Sequence, residues 1–383
     1  MAESKKLKDR YNRIVIKIGS STLTHNGGKL NLTLIDRLLR QIVDLKNQGR
    51  EILLVTSGAI AAGMGELNLS QKPQSIKKQQ AAAAVGQGQL IGIYNKLLRE
   101  YGEKGAQVLL TASDLEDRTR YLNAFNTLDT LLDYGIIPII NENDTVVTEE
   151  IQFGDNDTLS ARVAGLVEAE LLINLTDTKG LYNQDPARDC KDLKIIHRVD
   201  QISTEIEKMA GSRGSDVSTG GMYTKIEAAR IAVESGITMI IGYGAQKNIL
   251  LDIIEMLEQK KDFSLGTTFL PAEETLSKRK HWFCFNLETQ GEILVDKGAA
   301  RALLQRDKSL LPGGVLRVDG DFKRGDLVNI INQEEAVIAK GLVNYSADEV
   351  RKIKGSHSSE INDILNYVHQ DEIIHKDNLV LLR

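Results

Sequence analysis

The feature that most constrains this chain is a series of short, continuously apolar runs rich in β-branched residues. Arg13–Ile18 (RIVIKI), Glu51–Val55, Ala106–Leu110, Ile136–Ile140, Leu171–Leu175 and Ile237–Ile241 all read this way. A strand that is apolar at every position is covered on both faces, which is the mark of a parallel sheet. Helical patterns fill the gaps. Over Asn31–Asn47, Leu34, Ile35, Leu38, Leu39, Ile42 and Leu45 recur at helical spacing, with Asn31 to cap the start and Gly49 to end it. Ile76–Tyr101, Arg120–Tyr134 and Thr224–Ser235 are helical too, each followed by a glycine. This alternation predicts an α/β fold, with helices on both faces of a mostly parallel sheet.

Near residue 260 the pattern changes. Charged Glu258–Asp262 gives way to Gly266–Phe269 and then to polar Glu273–Lys280, a stretch that reads as a connection or as an ordinary surface helix. Beyond Gly291 the segments are short and β-like: Glu292–Val295, Gly314–Val318, Leu327–Ile331 and Ala336–Val343. Their spacing of about ten residues suggests a small β-barrel or sandwich. A length of 383 residues also favours two domains. The expected division is a catalytic domain over 10–265, a linker over 266–290 and a β-rich domain over 291–370.

Composition excludes several classes. The net charge of −5 disfavours a general nucleic-acid or anionic-membrane binder. Cys190 and Cys284 form no disulfide framework, and the six histidines show no metal-ligand spacing. No secretory leader or membrane span is read, so the expectation is a cytoplasmic protein.

The candidate chemistry lies at strand ends. Lys17 is out of place in a buried strand unless it meets an anion or water, or unless the strand is an edge. Gly19-Ser20-Ser21 follows it, and Thr56-Ser57-Gly58-Ala59 closes the next strand, with Gly63 and Gly65 soon after. Small residues there let backbone N–H groups approach an anion. Asn141-Glu142-Asn143-Asp144 ends another strand, and Gly154-Asp155-Asn156-Asp157 precedes a helix read from Thr158. These are either amino-acid-binding groups or two polar turns with Asp157 as an N-cap. Thr176-Asp177 sits in a strand-exit turn suited to a nucleotide or to nothing. Thr219-Gly220-Gly221-Met222-Tyr223-Thr224-Lys225 leads into a helix. A lysine in a first turn opposes the helix dipole, and a bound polyphosphate would explain it. Gly86 and Gly88, inside an Ala-rich helix, read as packing, and Gly242-x-Gly244 reads as a plain turn.

The motifs IVIKIGSSTLT, VTSGAIAAG, NENDTV, FGDNDTLSA, LTDTKGLY and TGGMYTKIEAA together resemble the glutamate 5-kinases of the amino acid kinase superfamily. The tail, from about Gly291 to His369, resembles a PUA domain. The resemblance implies a three-layer αβα sandwich and ATP-dependent phosphorylation of the L-glutamate γ-carboxylate, the first step of proline biosynthesis. By motif, Lys17 and Lys225 would stabilise the transferring phosphoryl group, and Asp155 and Asp157 would organise the lysines. Ser57, Asn141, Asp144 and Asn156 would bind glutamate. Lys17, Gly19, Ser20, Thr176, Asp177 and the run Thr219, Gly220, Gly221, Met222, Tyr223, Thr224 and Lys225 would bind ATP. Mg²⁺ would ride on the phosphates, so no dedicated metal ligands are expected. Proline as inhibitor, a homo-oligomer (dimer or tetramer) and hand-over to glutamyl phosphate reductase are implied as well.

Rival readings are a relative acting on aspartate, acetylglutamate or carbamate, a protein acting on RNA through its tail, and an inactive proline sensor. From Gly291 to His369 there are 11 Lys+Arg against 12 Asp+Glu, a net of 11 − 12 = −1. That balance is no electrostatic footprint for RNA.

Overall fold

The computed structural model describes residues 11–25, 29–146, 156–184, 193–209, 221–259, 263–271, 289–306 and 308–382. Two compact units emerge, Met1–Thr275 and Leu276–Arg383. The first runs β1 (Arg13–Ile18), α1 (Ser20–Leu23), α2 (Leu32–Asn47), β2 (Glu51–Thr56), α3 (Ala59–Glu66), α4 (Ile76–Glu100) and β3 (Gly105–Leu110). It continues through α5 (Ala112–Glu116), α6 (Arg118–Asp133), β4 (Ile137–Glu142), α7 (Asn156–Leu166), β5 (Leu171–Thr176), β6 (Arg198–Val199) and α8 (Thr204–Met209). It closes with α9 (Met222–Glu234), β7 (Thr238–Tyr243), α10 (Ile249–Glu258) and β8 (Thr267–Phe269).

The eight strands form one sheet in the order β3-β4-β2-β1-β5-β7-β8-β6. Every pairing from β3 to β7 is parallel, and β8 turns antiparallel against β7. Five of the six apolar runs, in β1, β2, β4, β5 and β7, are thus buried on both faces, as their composition demands. The run in β3 lies at the sheet edge, mostly half-buried with Gln107 exposed. On one face Ile14, Ile16 and Ile173 pack with residues of α2, α4 and α10 into a single core. The other face is covered by α7, which packs on β1, β2, β4 and β5, and by α9, which packs on α7 and β7. Strand alternation puts Lys17 and Asn174 on that second face, and the register sets them side by side.

Several expectations shift by a residue or more. Asn31 does cap α2, accepting the Leu34 N–H at 3.1 Å. Helix α7 begins at Asn156 rather than Thr158, so Asp157 lies inside its first turn and is not an N-cap. Thr267–Phe269, expected at the start of the linker, is a fully buried strand of the sheet. Its three residues are too few for any periodic signal. The short strand β6 also escapes the sequence reading.

The glycines divide by steric role. A Cβ on Gly86 would lie 1.8 Å from the Ala59 carbonyl oxygen, and one on Gly63 1.8 Å from that of Ala82. Helices α3 and α4 therefore cross in backbone contact. Gly63, expected among the anion-facing glycines, is a packing glycine instead, while Gly88 faces open space.

The second unit has its own core, with Val328, Ile330, Phe322 and Tyr345 among its buried residues. Its strands are β9 (Thr289–Val295), β10 (Val315–Gly320), β11 (Leu327–Ile331), β12 (Val337–Leu342) and β13 (Leu379–Leu381), in the order β10-β9-β11-β12-β13. Helices α11 (Lys297–Arg306), α12 (Ala347–Ile353) and α13 (Ile361–Leu365) accompany this single sheet. Strand β13 pairs with β12 beyond residue 370, where the sequence reading ended the domain.

The α3–α4 crossing is open to a direct test. Gly86→Ala should cost about 1–3 kcal/mol through overpacking. Gly88→Ala should be neutral or stabilising by up to ~1 kcal/mol through helix propensity. Urea unfolding of both variants measures the difference.

Candidate active site

The C-terminal ends of β4, β2, β1, β5 and β7 lie side by side, the edge at which open parallel sheets receive ligands. There the polar residues of the second sheet face gather. Lys17 is only 5% exposed, on a central strand, so it needs an anion. It finds Asp157, fully buried in the first turn of α7, and its Nζ donates to Asp157 Oδ1. Lys225, also 5% exposed and in the first turn of α9, donates from Nζ to Asp157 Oδ2 at 3.1 Å. Asn174 Nδ2 donates to Oδ1 at 2.7 Å, and the Thr224 hydroxyl, its one proton shared with Gly221 O at 2.8 Å, reaches Oδ2 at 3.0 Å. Each carboxylate oxygen therefore takes a lysine and faces a neutral group. Burial by itself pushes the Asp157 carboxyl up. The two ammonium groups and the hydrogen bonds from Lys17 and Asn174 outweigh that and hold it far below the usual carboxylate range.

One residue earlier, Asn156 faces a different group. Its Nδ2 donates to Ser57 Oγ at 2.9 Å and to Asn141 Oδ1 at 3.1 Å. Asn141 is 2% exposed, and its Oδ1 also accepts the Glu142 N–H at 2.9 Å. Among the described residues, two buried polar atoms here have no hydrogen-bond partner: Asn141 Nδ2 and Asn156 Oδ1. An orphan donor and an orphan acceptor in one small cluster suit a ligand carrying both kinds of group. Behind the cluster, Tyr94 Oη and Thr56 Oγ1 share a hydrogen bond of 2.8 Å, and Gln87 Nε2 donates to Glu142 O at 3.2 Å. Helix α4 thus fixes the ends of β2 and β4. The glycine contact between α3 and α4 fixes the helix that starts just after Ser57.

The remaining expected site residues divide. Asp144 is half-buried in the turn after β4, and no hydrogen bond ties it to the Ser57–Asn156–Asn141 cluster among the described residues. Burial pushes its carboxyl up to about 6, with Lys72 pulling the other way. Gly19 donates its N–H to Leu175 O at 3.0 Å, so that group is committed to the fold. Ser20 opens α1, exposed. Thr176 is buried and donates to Asp177 Oδ1 at 3.0 Å, while Asp177 is exposed. Gly221 is the N-cap of α9, and Met222, Tyr223 and Thr224 make up the rest of the turn before Lys225. Asp155, Thr219 and Gly220 lie outside the described residues.

Sequence reasoning missed Asn174 as a partner of Asp157. A signal was available, because an amide in the run LLINLT is as anomalous as the lysine in RIVIKI. It also missed Thr267. That side chain accepts the Leu181 N–H at 2.8 Å and donates to Ile196 O at 2.6 Å, bracing the segment that follows Thr176-Asp177. No local pattern announces a contact over that separation.

Comparison with known proteins gives the family. The amino acid kinase family matches residues 12–243, and the PUA domain matches residues 291–365. Glutamate 5-kinase from Thermoanaerobacter sp. (strain X514) is 53% identical over 370 residues, covering 97% of this chain and 98% of that protein. Glutamate 5-kinase from Moorella thermoacetica is 51% identical, covering 97% of this chain and 96% of that one. Among solved structures, carbamate kinase from Giardia lamblia bound to AMP-PNP aligns with a TM-score of 0.48 at 14% identity, over 68% of this chain and 99% of that chain. The family match over residues 12–243 and the near full-length identity lead to one statement: the chain belongs to the amino acid kinase family, in its glutamate 5-kinase branch, and carries a C-terminal PUA domain.

Proposed function

We propose that this chain transfers the γ-phosphoryl group of ATP to the γ-carboxylate of L-glutamate, giving L-glutamyl 5-phosphate for proline biosynthesis. The observation that carries the reading is the convergence of Lys17 and Lys225 on Asp157, one residue from the Ser57–Asn156–Asn141 cluster. Two lysines and one carboxylate sum to +1, placed between two half-sites. That charge would meet the phosphoryl group in flight.

The acceptor needs no general base, because a γ-carboxylate is already ionised at neutral pH. Its oxygen forms the new bond to phosphorus as the bond to the bridging oxygen of ADP breaks. The barrier is mainly alignment and repulsion between two anions. Asn141 Nδ2 would donate to a substrate carboxylate, Asn156 Oδ1 and Asp144 would accept from the ammonium, and Ser57 would complete the cluster. On the other side Thr176-Asp177 and the first turn of α9 would hold the nucleotide. The cap residue Gly221 supplies no side chain to compete there, and a helix N-terminus favours phosphate. Asp157 is committed to its donors, so Mg²⁺ would rest on phosphate oxygens and water, where it neutralises phosphate charge. Inhibition by proline, a dimer or tetramer and hand-over to glutamyl phosphate reductase belong to the same reading and rest on resemblance. The charge balance of the PUA domain favours a regulatory or assembly role over RNA binding.

ATP-dependent hydroxamate formation compared across glutamate, aspartate, acetylglutamate and carbamate, with and without proline, tests the reading. Glutamate should be strongly preferred, and preference for another acid overturns the assignment. Lys225→Ala should lower kcat by about 100-fold or more with little change in glutamate KM, since its charge acts on the transition state. A normal kcat would remove it from the mechanism.

Asp144 gives a prediction with two signs. Its raised carboxyl pKa means that the folded chain holds the proton longer than the unfolded one does, so stability falls as pH climbs from about 4 towards about 6. Asp144→Asn should therefore raise the melting temperature at pH 7–8. The same change should raise glutamate KM by about 10-fold, the cost of one charged hydrogen bond. Wild-type glutamate affinity should weaken as pH drops below about 6, and the variant should lose that limb. Melting curves and KM measured across pH check both.

A further inference from the structure

We infer that Asn174 is a positioning residue for phosphoryl transfer, holding the Asp157 carboxylate at the angle that presents Lys17 and Lys225 to the reacting groups. The inference rests on the kinase reading above and adds a residue outside the motifs that carry it.

Asn174 is fully buried in the middle of β5, beside Lys17 on β1 and Ile241 on β7. An amide costs stability there, because its Oδ1 has no hydrogen-bond partner among the described residues. A leucine, branched in the same way although larger, would match the rest of LLINLT without that cost. What the amide supplies is one donor, Nδ2, at 2.7 Å from Asp157 Oδ1.

That donor fixes the sheet side of the carboxylate. Oδ1 takes Lys17 and Asn174, both from the sheet, while Oδ2, on the α9 side, takes Lys225 and faces the Thr224 hydroxyl, which is shared with Gly221 O. The lysine side chains are long and flexible, and a carboxylate held by them alone can rotate about its bond to Cβ. The amide is short and its strand is rigid, so it fixes the carboxylate plane against the sheet. It does so as a neutral group, leaving the net charge of the cluster unchanged. A misplacement of ~1 Å in such a site can cost about 100-fold in rate.

Two variants of similar shape test this in the full-length chain, with kcat per folded molecule, both KM values and melting temperature as readouts. Asn174→Leu should lower kcat at least 10-fold, leave the KM values for glutamate and ATP within about 3-fold, and melt within a few degrees of wild type. Asn174→Asp replaces the donor by a carboxyl facing Asp157, Lys17 and Lys225. Its kcat should be at least as low as that of Asn174→Leu. Its deficit between pH 6 and 9 should grow or hold as pH rises, because deprotonation turns a residual O–H donor into a repelling anion. The inference is overturned if either variant keeps kcat within 2-fold of wild type. It also fails if the loss lies in KM alone, or if the Asn174→Asp deficit shrinks with rising pH. Should Asn174→Leu not fold, Asn174→Asp decides alone. Wild-type turnover of a different acid would revise the substrate assignment instead, and the same comparison would then be made on that acid.

Discussion

The site depends on one buried carboxylate. Lys17 lies on a central strand and Lys225 at the head of a helix more than two hundred residues later. Neither ammonium could stay buried without an anion, and both use Asp157. The carboxylate is itself fully buried and keeps its charge through those lysines and the hydrogen bond from Asn174. The three elements that build this face, β1, α7 and α9, are therefore held by the same charges that, under the proposed function, would face a phosphoryl group. Fold and chemistry share an interaction.

The first turn of α7 also explains how two half-sites meet. Asn156 and Asp157 are consecutive, and in a helix consecutive side chains diverge by about 100°. One reaches towards β2 and β4, the other towards β1, β5 and α9. Acceptor and donor substrates would thus be registered against one rigid turn. Around it the scaffold is tight where position matters. Backbone contact at Gly63 and Gly86 sets α3 just after Ser57, and Thr267 ties the segment after Thr176-Asp177 to the sheet.

Reading from sequence worked best where the signal was a conflict between a residue and its surroundings. Lys17 in RIVIKI needed an anion, water or an edge strand, and on a central strand it meets the Asp157 carboxylate. The same logic applied to Asn174 in LLINLT, yet an uncharged amide is a weaker anomaly than a lysine and is easily passed over. Asn156 and Asp157 were legible as candidates but not as a pair that diverges towards two clusters, because that depends on where α7 begins. A start at Thr158 would leave Asp157 capping its own helix instead of reaching both lysines. Glycine was the least reliable guide, since Gly19, Gly63, Gly86 and Gly88 look alike in sequence, yet only Gly63 and Gly86 share the helix-crossing role, Gly19 packs at a strand end and Gly88 faces open space.

By itself the sequence determined the class of fold, the β1, β2, β3, β4, β5 and β7 strands, the two-part organisation and the residues that could carry charge. Those follow from burial of apolar runs and from the cost of isolating a charge, both properties of local composition. Only the tertiary structure decided that Lys17, Asn174, Thr224 and Lys225 share one carboxylate, that Thr267–Phe269 belongs to the large sheet, and that β13 closes the edge of the small one. Those contacts join residues far apart in the chain. Their geometry is set by strand register and helix packing, which no local pattern encodes.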